Sequence, residues 1–251
     1  MKKIYIQISI FIIIIVIFYF LNFFNIVNSI FLPYPHTVVM TLFKILFESN
    51  TYNDVFSTLL RTILGFSLAS LVGIPVGLII GYFKKIGDAF IPIIDFLRSI
   101  PSTALIPLFI IFIGITNFSK IVLVAFSTFL IITTYTFLGV RNTDQNRVLF
   151  AKTLGISKIQ LFIKIIFFES LPSIFIGLRT SISLALVLVI VAEMIMGSNN
   201  GLGTRIYLAR YGTDYPKMYS LIVLCGFIGY LFNFIFKIIN DKIVHWVGKN
   251  S

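Results

Sequence analysis

Residues Leu60 to Phe83 read LRTILGFSLASLVGIPVGLIIGYF, and this stretch decides the fold class. It is long enough to cross about 30 Å of hydrocarbon as a helix, which takes about 20 residues. Gly65, Ala69, Gly73, Gly77 and Gly81 recur at every fourth position and so share one helix face. Small residues let a second helix approach until backbones touch, the main source of association where lipid is as apolar as leucine. The stripe predicts a helix interface, either a static packing seam or one that moves in function. Pro75 sits among the glycines, and Pro92, Pro101 and Pro107 interrupt a following apolar run. Broken helices at membrane depth need protein or a water-filled cavity to satisfy the freed backbone groups.

Similar runs occur along the chain. Spans are expected at about 4–24, 60–83, 90–113, 121–140, 171–197 and 218–239, giving an all-α integral membrane protein with six transmembrane helices and one domain over residues 1–251. Of the 251 residues 58% are hydrophobic and 12% charged, with mean hydropathy +1.03, which excludes an ordinary water-soluble domain. The first run follows Lys2 and Lys3 but is too long for a secretory signal and has no small-residue cleavage site after it, so an uncleaved span is expected.

The net charge of +11 does not indicate nucleic acid, because lysines and arginines cluster in the short connections. Six spans put both termini on one side. With the amino terminus inside, the inner segments hold twice the Lys and Arg of the outer ones, where Lys44, Arg61, Lys120, Arg205, Arg210 and Lys217 are counted. Both termini are therefore expected to be cytoplasmic. Cys225 is the only cysteine, so neither a disulfide nor a cysteine metal framework forms within one chain.

The inner segment 141–170, RNTDQNRVLFAKTLGISKIQLFIKIIFFES, is too polar at its start to span and too apolar to float free. Two short helices are expected. Thr143 or Asp144 caps the first, and Gly155 takes the left-handed position after Leu154. Ser157 with Gln160 forms a capping box for the second, whose Ile159, Phe162, Ile163 and Ile166 share a face. Periodicity alone fits an amphipathic helix lying in the headgroups equally well.

Ionisable groups inside spans are functional candidates by default. Asp95 and Arg98, three apart, are expected to pair; Arg179 lies close enough to the cytoplasmic end to snorkel and receives no role. Glu193 has no opposite charge within four positions in sequence. It either lines a pathway, is held by another helix, or carries a proton. Thr133 and Thr134 belong to a hydroxyl-rich run with Ser127, Thr128 and Thr136, a weak sign of a polar path because hydroxyls also bond their own helix. The stretch GSNNGLGTRIYLARYGTDYP from Gly197 is expected outside, as a docking surface or a plain loop.

Several stretches together resemble a family. In LPYPHTV from Leu32, LLRTILGFSLASLVGIPVGLIIGYF, FLRSIPSTALIPLFIIFIGI, AKTLGISKIQL, PSIFIGLRTSISLALVLVIVAEM and NNGLG, the chain resembles ATP-binding cassette importer permeases for nitrate, sulfonates, taurine and thiamine-precursor pyrimidines. Their EAA loop has the pattern EAA, three residues, Gly, nine residues, Ile, one residue, Leu-Pro. Ala151, Gly155 and Ile165 match it in register, whereas Leu149 and Phe150 replace its first two residues and Phe167 and Phe168 its last two.

The resemblance implies a type I importer (MetI-like) permease fold in a bacterial inner membrane. It implies a homodimer of this chain, two copies of a cytoplasmic ATPase, and an extracytoplasmic binding protein that delivers a small solute. It also implies that Ala151, Lys152, Thr153, Leu154, Gly155, Ile156, Ser157 and Ile165 belong to the coupling segment that docks on the ATPase. The family commonly has AEM or AEL where Glu193 stands.

The chain carries no G-x-x-x-x-G-K-[ST] phosphate loop, so a transport subunit is expected, not an enzyme, without cofactor or metal, ATP being hydrolysed on the partner. An ion-driven secondary transporter is the alternative, though no convincing inverted repeat supports it. An intramembrane hydrolase fits poorly, since His36 and His245, the only histidines, fall on opposite sides of the membrane in this topology.

Overall fold

The computed structural model describes residues 2–24, 26, 28 and 30–244, so His245 lies outside the described residues. The order is α1 (Lys2–Phe23), α2 (Pro35–Leu46), α3 (Ser49–Tyr82), α4 (Lys84–Ser99), a 3₁₀ turn (Ser102–Leu105), α5 (Ile106–Ile113) and α6 (Asn117–Arg141). There follow α7 (Gln145–Thr153), α8 (Lys158–Leu161), a π-helical turn (Phe162–Ile166), α9 (Phe167–Met196), α10 (Leu202–Tyr211) and α11 (Tyr215–Ile243). The described chain contains no strand.

The glycine stripe is a seam against α6. A methyl group added to Gly77 would lie 2.5 Å from Cβ of Thr136, and one on Gly81 2.6 Å from Cβ of Val140. Gly65 meets Val124 and Gly73 meets Ile132 in the same way. Residue numbers rise together on both helices, so α3 and α6 run parallel. The chain between them must then return along their length, and α4 and α5 make that return. Gly87, near the start of α4, packs on Ile80 and Phe137 at the carboxyl ends of α3 and α6, whereas Ile106 of α5 packs with Leu123, Ala192 and Met196 at the opposite end.

The return path is bent by 83° between α4 and the segment Ser102–Ile113. Pro101 sets the break, because a residue before proline is held out of the helical region; Ile100 is extended, at φ −77° and ψ 122°. α9 runs antiparallel to α6, with Gly139 against Ser170 and Gly177 against Tyr135, and α11 runs antiparallel to α9, with Gly229 against Leu186.

Among the described residues, four helices are long and apolar enough to cross a membrane: Ser49–Tyr82, Asn117–Arg141, Lys158–Met196 and Tyr215–Ile243. The bent pair makes a fifth if counted as one span. α1, expected as the first span, shows apolar side chains outward, with Ile12, Ile13 and Ile14 each more than half exposed. Phe227, Tyr230 and Phe234 do the same on α11. These outward apolar faces suit lipid.

Two expected boundaries change. α3 has 34 residues, about 51 Å at 1.5 Å each, longer than an apolar layer of about 30 Å requires, and it begins with the polar stretch Ser49–Thr58 ahead of the expected start at Leu60. The second short helix expected after Ser157 is not separate, since Lys158–Met196 is one continuous helix of 39 residues. The π turn absorbs the extra residue without ending the helix.

Candidate functional site

Two regions gather the candidate side chains, one at each end of the bundle. At the first, the carboxyl end of α6 leads through a turn into α7. Asp144 caps α7, its Oδ1 accepting from the Asn146 amide at 2.9 Å. Thr143 is buried instead. Gly155 ends the turn at φ +72°, with open space where a Cβ would sit. Its conformation, not crowding, requires glycine. Ser157 then caps the next helix by accepting from the Gln160 amide at 3.3 Å.

Glu169, three residues into α9, fastens α7 from outside the turn. Its Oε2 accepts from the Asp144 amide at 3.0 Å, and its Oε1 pairs with Arg147 at 2.9 Å. Sequence reading gave Glu169 no role; the tie spans 25 residues and joins two helices whose approach is set by packing.

Of the expected docking residues, Ala151 is buried and Ile165 half-buried, packed with Val140, Leu161 and Ile166. Lys152, Thr153, Leu154, Gly155 and Ser157 are exposed, and Ile156 is half-buried. Leu149, Phe150 and Leu154 present apolar side chains outward, each more than half exposed. Beside them lies an open groove of about 700 Å³ lined by Phe150, Leu154, Ile156, Lys164, Ile165 and Phe168, among others. Of the expected common face, Ile159, Phe162 and Ile163 line one apolar groove with Tyr82 and Phe83, whereas Ile166 turns inward with Leu161, five positions before it across the π turn.

The second region lies at the opposite end, where α3, α6, α9 and the loop 197–201 converge. Glu193, fully buried, forms an ion pair with Arg61. Its oxygens also accept from Thr58 Oγ1 at 3.0 Å and from the Gly203 amide at 2.9 Å. Thr58 accepts in turn from the Leu202 amide at 2.9 Å. The carboxylate therefore ties three elements together. Glu193, which also borders an open cleft, is thus held by α3 and by the amide of Gly203. Gly201 and Gly203 admit it, since a Cβ at either would strike the Glu193 side chain.

Arg61 and Lys120, counted above in outer connections, stand instead in helices and are buried. Arg61 also donates from Nε to Asn117 at 3.1 Å and from Nη1 to the Asn200 carbonyl at 2.9 Å. Lys120 Nζ donates to the Gly197 carbonyl at 2.7 Å, at the carboxyl end of α9. A neighbouring network joins Arg205 to Asp54 at 3.1 Å and to Glu48, with Asp54 accepting from the Gly201 amide at 2.8 Å. The signal available in sequence was one unpaired cation and one unpaired anion in two apolar runs.

The remaining candidates lie apart. Thr133 is buried and donates across the seam to the Gly73 carbonyl at 3.3 Å, and Thr134 donates to Leu130 of its own helix at 2.8 Å. Asp95 and Arg98 pair at 3.2 Å on an exposed face of α4. Arg179 donates to Asn233 of α11 at 3.2 Å. Among the described residues, no three His, Cys, Asp or Glu side chains gather as a metal site requires.

Comparison with known proteins follows the same outline. The putative aliphatic sulfonates transport permease protein SsuC of Bacillus subtilis (strain 168) is 30% identical over 222 residues, covering 88% of this chain and 80% of its own length. The taurine transport system permease protein TauC of Escherichia coli (strain K12) is 27% identical, covering 90% of this chain and 83% of its own. Among solved structures, a chain of the inward-facing MetNI methionine ABC transporter superposes with a TM-score of 0.68 at 19% identity, covering 77% of this chain and 96% of that one. That likeness concerns the fold. A family profile described as binding-protein-dependent transport system inner membrane component matches residues 73–249. With more than half of its length matched, the chain belongs to the family of binding-protein-dependent transport system inner membrane components, as a multi-pass permease subunit of an ATP-binding cassette importer.

Proposed function

We propose that two copies of this chain form the translocation pathway of an importer for a small solute of the sulfonate, taurine, nitrate or thiamine-precursor pyrimidine class. An extracytoplasmic binding protein delivers the solute, and two copies of a cytoplasmic ATPase drive its passage. α1 and the bent α4–α5 pair complete six crossings, with both termini and α7 cytoplasmic. The single domain spans residues 1–251.

One observation supports this reading above the others: α7 is a capped helix, tied to α9 by Glu169, that holds Leu149, Phe150 and Leu154 outward beside an open groove. A lever needs rigid attachment on one side and an apolar seat on the other. Ala151 and Ile165 supply attachment by packing inward, while Lys152, Thr153, Leu154, Gly155, Ile156 and Ser157 form the outward turn. Closure of the ATPase pair would push α7, and Glu169 with the π turn would pass the displacement to α9.

Reconstitution with the ATPase and binding protein tests the reading. Uptake of radiolabelled taurine, methanesulfonate, nitrate or formylaminopyrimidine into proteoliposomes should require ATP and all three components. Uptake of any of them driven by an ion gradient without the ATPase would overturn it in favour of a secondary transporter.

A further inference from the structure

The buried charges around Glu193 do not balance. Arg61 is neutralised by Glu193, and the neighbouring Arg205 and Lys217 are matched by Glu48 and Asp54. Lys120 has no such partner: it is 2% exposed, and among the described residues its ammonium makes one hydrogen bond, to the neutral Gly197 carbonyl. An ammonium carries three donors, so two are not engaged by protein among the described residues. Arg61, 5% exposed, commits Nε and Nη1 to protein and makes no hydrogen bond from Nη2 among the described residues.

Both cations line an open cleft of about 930 Å³. Its other polar lining, including Ser57, Thr116, Asn117 and Asn199, is neutral apart from Glu193. The Glu193 oxygens are already engaged by Thr58, Arg61 and Gly203. The cleft therefore has a net positive lining and spare donors.

A helix carboxyl end favours a nearby cation, which offsets part of the cost of burying Lys120 at Gly197. That interaction uses one donor and leaves the charge without an anion. Lys120 also sits in the first turn of α6, where the helix field disfavours a cation and favours an anion. A small oxyanion in the cleft satisfies the unused donors, the unbalanced charge and the α6 terminus together.

We propose that this cleft binds a small soluble oxyanion, a sulfonate or nitrate, between Lys120 and the free Nη2 edge of Arg61. Each chain would hold one such site, at the end of the bundle where the loop 197–201 closes over Glu193. The identification of that anion as cargo paused before the crossing rests on the importer reading; the binding site itself does not.

Binding is measured without ATP, ATPase or binding protein, so its failure is distinct from failure of transport. The full chain is placed in phosphatidylcholine nanodiscs and titrated calorimetrically with methanesulfonate, with nitrate, and with choline chloride at matched ionic strength. Saturable methanesulfonate or nitrate binding, absent for choline, is expected. Lys120→Met should weaken it at least tenfold, and Lys120→Arg should retain it. Absence of saturable anion binding by the unaltered chain overturns the proposal whether or not the variants fold. Unchanged affinity in folded Lys120→Met also overturns it. Phosphatidylglycerol in the nanodiscs tests the other source of this chemistry: thermal stabilisation by that lipid, with none from methanesulfonate in pure phosphatidylcholine, would assign the cleft to a headgroup and overturn the soluble-anion site.

Discussion

Arg61 of α3 and Glu193 of α9, 132 residues apart in sequence, form a buried ion pair at one end of the bundle. Neither residue has a partner nearby on its own helix. Their meeting fixes the depth of α3 against α9 and holds the loop 197–201 through Asn200 and the start of α10 through Gly203.

Glu193→Gln keeps the shape of the side chain and part of its bonding to Thr58 and Gly203, but leaves Arg61 without a counter-charge. Breaking one side of a buried pair costs about 3 kcal/mol or more. The thermal unfolding midpoint of the purified chain should fall clearly. The double variant Arg61→Met, Glu193→Met should recover part of that loss. A Glu193→Gln midpoint equal to that of the parent would show that the pair does not hold α3 to α9.

At the glycine seam, Gly77→Ala places a methyl 2.5 Å from Cβ of Thr136 and 2.7 Å from the Thr133 carbonyl. Both neighbours are attached to a rigid helix and cannot swing away. Overpacking of this kind costs about 1–3 kcal/mol, and Gly77→Leu should prevent assembly. Gly226→Ala is the control, since nothing lies within 4 Å of the added carbon. The yield of monodisperse protein should fall for the first two variants and hold for the third.

Gly155→Val tests backbone conformation alone, because among the described residues nothing beyond its chain neighbours lies within 4 Å of the added Cβ while φ is +72°. A β-branched residue there is strained by about 1–2 kcal/mol. Asparagine adopts this region more readily. Co-purification with the ATPase, and stimulation of ATP hydrolysis by loaded binding protein, should fall sharply for Gly155→Val and much less for Gly155→Asn, with membrane insertion unchanged in both. Parental values for Gly155→Val would remove the coupling role assigned to the turn.

Glu169→Gln separates stability from coupling. The partly exposed pair with Arg147 contributes less than about 1 kcal/mol to folding, so the melting midpoint should barely move. Loosening of α7 should nevertheless lower transport per ATP hydrolysed. An unchanged ratio would mean that the Glu169 tie transmits nothing.

Orientation is checked by cysteine labelling in a Cys225→Ala background. Positions 84 and 158 should react only from the cytoplasm and position 200 only from outside. Labelling of position 158 on intact cells would reverse the proposed orientation.

The turn at residues 144–157 was legible in sequence because each of its signals acts within a few positions. A carboxylate reaches an amide two residues on, and a left-handed position admits glycine at little cost. The stripe from Gly65 to Gly81 was equally plain as a periodic face, since helix geometry turns spacing directly into a surface. Apolar run length gave the bundle its class.

Other features depended on how helices meet in space. The partner of the glycine face is α6, and its parallel course requires α4 and α5 to return between them, a constraint no local signal carries. Ser157 suggested a separate short helix, yet a π turn keeps Lys158–Met196 continuous, with Leu161 and Ile166, five positions apart, both turned inward. Arg61 and Lys120 looked like loop cations because charge was counted along the chain. Their burial follows from the meeting of α3, α6 and α9 and from the loop 197–201, whose Asn200 and Gly197 carbonyls accept from them. Composition and periodicity determined that this chain is a membrane helix bundle with a capped turn at one end. Asp95 and Arg98, three apart on one helix, were a pair the sequence could show, but only tertiary packing decided that Arg61 meets Glu193, because ion pairing depends on distance through space and those two lie 132 positions apart.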